Sequence, residues 1–244
     1  MKILVCISNV PDTTAKINFT PDHAEFVTTG VTFILNPYDE IALSKAVDLV
    51  ASGGSVTVLN VGESSTEPVI RKALAIGATD AVRINAVPRD SFFVAQQIAN
   101  HVRSSSYDLI LCGRESSDHN GSTVPAMVAE LLDLPCVLFA KGLSIDNGVA
   151  TVEREIEGGK EILSAQLPVV IGASEGMAEW KIPNMRGIMS ARTKPLQVIE
   201  PSATDQRTRH RNFDKPASRS SVRMISGEDA SRLFEIIRDE KKII

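Results

Sequence analysis

The stretch Gly113-Arg-Glu-Ser-Ser-Asp-His-Asn-Gly-Ser-Thr-Val124 gathers the groups in this chain best suited to holding an anion. It follows the short apolar run Leu109–Cys112 and leads into Val124, Val128, Leu131 and Leu132 at helical spacing, so it reads as a turn from a strand into a helix. Asn120, Gly121, Ser122 and Thr123 at that helix start would offer unpaired backbone N–H groups, two hydroxyls and the positive end of the helix dipole. Gly121 would let the backbone come close to a phosphate. Asn, Ser and Thr are also good helix caps, so the motif alone leaves phosphate binding and plain capping both open. Asn36-Pro37-Tyr38-Asp39, after the strand-like run Val31–Leu35, is a second turn that starts a helix, and Pro and Asp suit a cap there in their own right.

The chain carries little catalytic equipment. His23, His101, His119 and His210 are scattered, with no second ligand at metal spacing. Neither a G-x-S-x-G elbow, nor a G-x-G-x-x-G fingerprint, nor a P-loop occurs. These features favour a binding or carrier protein over an enzyme. Ligands on open parallel sheets bind beyond the carboxyl ends of the strands, where the Gly113–Val124 turn would lie.

Strands and helices that would position these turns alternate through the first two thirds. Lys2–Ser8, Val56–Val61, Ala81–Ile84 and Leu109–Cys112 are continuous apolar runs, as expected of strands buried on both faces of a parallel sheet. Leu43, Ala46, Val47 and Val50 form one helical stripe. A second helix is predicted from about Thr66 to a cap at Gly77, a third after Asp90 and a fourth after Asn120. The alternation predicts an α/β fold, a doubly wound parallel sheet of Rossmann-like, adenine-nucleotide α-hydrolase-like plan. From Lys141 the texture changes to a β-meander with turns at Asn147-Gly148 and Gly158-Gly159. Residues 1–200 are read as one domain. Residues 201–244 are read as a polar arm that ends in a helix, with Ala230, Leu233, Phe234 and Ile237 as its stripe behind a capping-box spacing at Ser226–Asp229.

The 244 residues, 43% hydrophobic and 23% charged, suit a soluble domain of this size, and no apolar run approaches the ~18 residues of a membrane helix. Membrane insertion is therefore not expected. Met1–Ile7 reads as a first strand, not a signal peptide, which suggests a cytoplasmic protein, or one of the mitochondrial matrix if the source is eukaryotic. Cys6, Cys112 and Cys136 lie in apolar runs without a C-x-x-C pair and are expected to be buried, reduced thiols. The net charge of −4 argues against nucleic acid as a partner, although Arg207, Arg209, Arg211, Lys215, Arg219 and Arg223 cluster in the arm.

The segment Val152 to Pro168 is distinctive. Val152, Arg154, Glu157 before two glycines, Glu161, Leu163 and Pro168, followed by the apolar run Val169–Ala173, resemble the signature of the electron-transfer flavoprotein β subunit. The resemblance runs from Lys2 to about Pro201, where it includes the Asn36–Asp39 turn and the Gly113–Val124 loop, and returns in the terminal helix. It implies a partner α subunit that carries FAD, electron donors such as acyl-CoA dehydrogenases of fatty acid β-oxidation, and a quinone reductase or another acceptor. It also implies a structural AMP in this chain, cradled by Cys6, Asn36, Pro37, Tyr38, Asp39, Val61 and the loop residues Gly113, Arg114, Glu115, Ser116, Ser117, Asp118, His119, Asn120, Gly121, Ser122, Thr123 and Val124. Ser122, Thr123 and Val124 would give N–H groups to the phosphate. Cys6 and Val61 would line the adenine, unless they are ordinary core residues.

By the same resemblance Tyr38 approaches the flavin ring, Glu155 reaches an arginine of the α subunit, residues 175–193 form a partner-recognition loop anchored by Met185, and the arm and terminal helix of residues 201–244 are expected to dock on the α subunit. Thr13 departs from members with an aromatic near the flavin, and Ser190 and Thr193 from members with lysines. Two alternatives stay open. One is a bifurcating form with a second FAD in place of AMP; the other is a stand-alone nucleotide-binding module of universal-stress-protein type, which would lack the meander and the arm.

Overall fold

The computed structural model describes residues 1–218 and 221–243; Arg219, counted above among the basic residues of the arm, lies outside them. The chain runs β1 (Lys2–Cys6), β2 (Asn9–Pro11), β3 (Phe33–Leu35), α1 (Pro37–Leu49), β4 (Ser55–Val61), α2 (Glu67–Ile76), β5 (Asp80–Ile84), α3 (Ser91–Arg103), β6 (Leu109–Gly113) and α4 (Val124–Leu132). It continues with β7 (Cys136–Asp146), β8 (Val149–Ile156), β9 (Gly159–Gln166), β10 (Val169–Ala173), α5 (Met185–Ala191), β11 (Leu196–Ile199) and α6 (Ala230–Glu235). One nine-stranded sheet has the order β11-β5-β4-β1-β6-β10-β7-β8-β9. Its strands from β11 to β7 are mutually parallel, and β8 and β9 extend it as an antiparallel meander. The fold is therefore the expected doubly wound α/β sheet.

The apolar runs explain the layering. Alternate residues of each central strand face opposite layers, so Ile3, Val5, Val56, Val58, Leu109 and Leu111 pack with α1 and α2. Leu4, Cys6, Leu59, Val61, Ile110 and Cys112 pack with α3 and α4. From β1 the chain adds β4 and β5 to one side, then crosses to add β6 to the other. The switch point of the topology thus falls between β1 and β6, where a crevice opens beyond the carboxyl ends of the strands.

Several local expectations shift. The meander begins at Cys136, ahead of Lys141, because the first part of β7 pairs in parallel with β10 before the second part turns antiparallel against β8. Asn147 and Gly148 both take positive φ, 49° and 79°, as a two-residue hairpin needs. The next turn is Glu157-Gly158; Gly159 is already a strand residue opposite Ile156. Cys6 and Cys112 are buried free thiols, but Cys136, at the start of β7, is exposed. The segment 175–193 contains a short helix, α5, whose Asn184 side chain accepts from Gly187 N at 2.8 Å. Among the described residues no helix is long and apolar enough to cross a membrane.

Candidate functional site

At the switch point the two turns found in the sequence are tied to each other. Asn36, just before α1, donates from Nδ2 to the Glu115 carbonyl at 2.9 Å, and its Oδ1 accepts from Ser117 N at 3.1 Å. Asp39, in the first turn of α1, is 4% exposed and lies across the crevice. Its Oδ1 accepts from Gly113 N at the end of β6 (2.9 Å), and its Oδ2 accepts from Ser8 N beyond the end of β1 (2.7 Å). One carboxylate therefore fastens together the two strands that flank the switch point. Burial pushes its carboxyl up to about 7, while the N–H donors of Ser8 and Gly113 and the Asn36 side chain pull the other way. Asp39 thus holds the frame of the site, with both oxygens turned inward.

Gly113 is required by this arrangement. A Cβ there would run into Asp39 Oδ1 and would stand 2.7 Å from Tyr38 Cβ and 2.8 Å from Asp39 N. The close fit of the Asn36–Asp39 turn onto β6 is possible only with no side chain at residue 113.

The loop then folds back on itself. Glu115 receives the Ser122 hydroxyl at 2.7 Å and lies 3.3 Å from Arg114 Nη2. The Arg114 guanidinium sits between two aromatic rings, 5.3 Å from the centroid of Tyr38 and 5.2 Å from that of Phe139. Arg114 Nε is buried with no hydrogen-bond partner among the described residues. Phe139 was not singled out in the sequence. It reaches the site because β7 bulges there, with φ of 58° at Phe139, and a phenylalanine inside a strand run carries no signal of that.

The helix α4 begins at Val124, later than the expected start just after Asn120. Asn120 and Ser122 adopt left-handed backbone, φ 48° and 50°, and Thr123 returns to the right-handed region without a side-chain cap. That alternation turns successive N–H groups into a concavity suited to an anion. Among the described residues, the N–H groups of Gly121, Ser122 and Thr123 have no hydrogen-bond partner. A Cβ on Gly121 would meet nothing nearer than Thr123 Oγ1 at 3.8 Å, so the space above the loop is open. Free N–H groups and an unpartnered guanidinium nitrogen fit an anionic ligand such as a nucleotide phosphate.

Asn36, Pro37, Tyr38, Asp39 and the loop from Gly113 through Val124 are thus brought together at the crevice. Cys6 and Val61 end β1 and β4 on the α3/α4 side of the sheet, where both are buried in the apolar layer. Glu155 on β8 forms an ion pair with Lys141 at 2.6 Å, toward the far end of the sheet. Met185, 71% exposed, begins α5 against α2 and is not near Glu155 in the strand order. Around Met185, Trp180, Ile182, Ile188 and Met189 are also exposed.

This apolar surface has a firm base that the sequence did not reveal. Arg71 of α2 donates to the carbonyls of Ala191 and Lys194 at 2.8 and 2.9 Å, while Lys194 donates to Leu74 and Ala78 at the end of α2, 2.9 Å and 2.5 Å. Arg71 thereby caps the C-terminal carbonyl of α5, and Lys194, in the turn just past α5, caps the C-terminal end of α2.

Comparison with known proteins places similar chains in one family. The family model described as "Electron transfer flavoprotein domain" matches residues 24–204. A Syntrophomonas wolfei protein named electron transfer flavoprotein subunit beta is 31% identical, with 100% of this chain and 98% of the relative covered. Its Bacillus subtilis namesake is 30% identical with both chains fully covered. The human one is 32% identical, with 82% of each covered.

Proposed function

Because the chain belongs to the electron transfer flavoprotein family and matches its β subunits along its length, we propose that it is the β subunit of a heterodimer that carries electrons from flavin dehydrogenases, such as acyl-CoA dehydrogenases, to a quinone reductase or a similar acceptor. In this reading the α subunit holds FAD, which supplies the redox chemistry, and this chain holds AMP as a structural ligand. The observation that carries the nucleotide is the open N–H concavity of Gly121–Thr123 at the switch point. Asn36 and Asp39 hold that loop against α1, and Glu115 fixes Ser122 within it. Tyr38, braced by Arg114, is the side chain placed to border the flavin. The surface around Met185 serves as the recognition site for the electron donors, held rigid by the capping between Arg71 and Lys194.

Two results are expected. Denaturing the purified, co-expressed pair should release AMP besides FAD, whereas this chain purified alone should be colourless. A pair with no adenine nucleotide beyond its FAD would refute the AMP assignment, and a second flavin per heterodimer would favour the bifurcating form. In addition, Gly121→Val should leave the thermal stability of the isolated chain nearly unchanged, because a Cβ there has room. The same change should lower the AMP content of the pair, because the added side chain would occupy the space of the phosphate. Equal AMP content in wild type and variant would place the phosphate elsewhere.

A further inference from the structure

The first part of the arm stays on its own domain. Gln97 of α3 clips Ser202, accepting its N–H at 2.8 Å and donating to its carbonyl at 2.8 Å. Asp90 caps α3 with one oxygen, through Phe93 N at 2.7 Å, and with the other accepts from Arg207 N and Thr208 N, both at 2.7 Å. Beyond these, Phe213 N donates to the His23 carbonyl at 2.9 Å, His23 Nδ1 lies 2.7 Å from the Phe213 carbonyl, and Lys215 donates to Asn18 at 2.8 Å. The arm is thus fixed at both ends of a short span, and the span passes over the Gly113–Val124 loop.

Where it crosses, four rings form a column. His119 of the loop stacks on His210 of the arm, with centroids 5.1 Å apart and planes 17° apart. His210 meets Phe213 at 5.2 Å, and Phe213 stacks on Phe19 at 5.1 Å and 23°. The inner part of the loop has its own tethers, since Asn36 holds Glu115 and Ser117 and Glu115 holds Ser122. Its outer turn around His119 and Asn120 is exposed; Asn120 N donates to the Ser116 carbonyl at 2.9 Å within the loop, and the ring stack joins the tip of the turn to the arm.

We propose that residues 205–215 act as a strap across the nucleotide loop, and that His210 is the residue that positions the loop's outer turn through its stack on His119. This rests on the reading that the loop holds a nucleotide. The strap preorganises the N–H concavity, so loosening it lets the loop fluctuate and the ligand leave sooner. A stacked ring pair contributes about 0.5–1.5 kcal/mol, which corresponds to a change of about two- to tenfold in a rate limited by opening of the strap.

The test compares His210→Ala with His210→Phe, which keeps a ring but no imidazole. In the co-expressed pair, the rate at which bound AMP exchanges with labelled AMP should rise about two- to tenfold for His210→Ala and stay near wild type for His210→Phe. In the full-length chain alone, without nucleotide, amide hydrogen exchange across residues 117–123 should accelerate for the alanine variant and not for the phenylalanine variant. Unchanged loop exchange in His210→Ala would overturn the strap, as would a phenylalanine variant as fast as the alanine one. If the pair holds no AMP, the nucleotide reading fails, and the loop exchange still decides for or against the strap.

Discussion

Gly113→Ala is expected to damage this protein more than any other change of a single methyl group at the site. The added Cβ collides with the Asp39 carboxylate and with the backbone of α1, and neither is the free end of a flexible side chain. Overpacking of this kind costs about 1–3 kcal/mol, and it forces apart the bond from Gly113 N to Asp39 that closes the crevice. We expect a lower urea midpoint together with loss of bound nucleotide from the pair. Asp39→Ala should be as severe by another route, because it leaves the Ser8 and Gly113 N–H groups without their acceptor, at about 1–3 kcal/mol each.

The pH dependence of that second variant has a definite sign. Burial raises the Asp39 carboxyl from 3.8 to about 7, so between those values the folded state holds a proton that the unfolded chain has released. This contribution to stability is fully present below about pH 4, declines as the pH rises, and is gone above about pH 7. The stability gap between wild type and Asp39→Ala in urea melts should therefore narrow from pH 4 to pH 7. A gap that widens with pH would mean that the two N–H donors outweigh desolvation and that the carboxyl is depressed instead.

The sequence was legible wherever one physical cause acts locally. Continuous apolar runs mark β1, β4, β5 and β6 because a strand buried on both faces has no room for alternation. Asp90 was a readable helix start, and its carboxylate does cap α3. The start of α4 was misplaced because Asn120 and Ser122, good caps by type, instead take left-handed backbone and make a loop. The helix α5 was hidden because a segment so short owes its helicity to Asn184 and to Arg71 from a distant element, not to a periodic stripe. Phe139 and His210 were invisible for the same reason. Their roles depend on which surfaces the topology brings together, and no local pattern encodes that.

Removing residues 216–244 is expected to weaken heterodimer formation by about tenfold while leaving the α/β domain folded. The cut falls after Lys215, the last of the described residues that bonds back to residues 18–23, so the strap survives it. Beyond it the chain is poorly supported. Leu233 and Phe234 are about half exposed, Val222 and Met224 almost wholly so, and among the described residues only Ile236 is buried. The short α6 is flanked by ion pairs of Arg223 with Glu240 and of Arg232 with Glu235, all on exposed side chains that hold little. A helix of this length is not stable by itself in water, so its apolar face calls for a surface that this chain does not supply. We take the α subunit as that surface. Burying a large apolar side chain from full exposure contributes ~1.5–3 kcal/mol, and Leu233, Phe234 and Ile237 are already about half covered or more, so together they would add roughly 2–4.5 kcal/mol; with about half of that offset by ordering the arm, roughly 1–2 kcal/mol remains, which is about tenfold. Titration of the α subunit against full-length and truncated chains measures this directly. Loop exchange over residues 117–123 should stay as in the full-length chain, which separates loss of the partner contact from loss of the strap. An unchanged dissociation constant after truncation would assign the exposed stripe to some surface other than the α subunit.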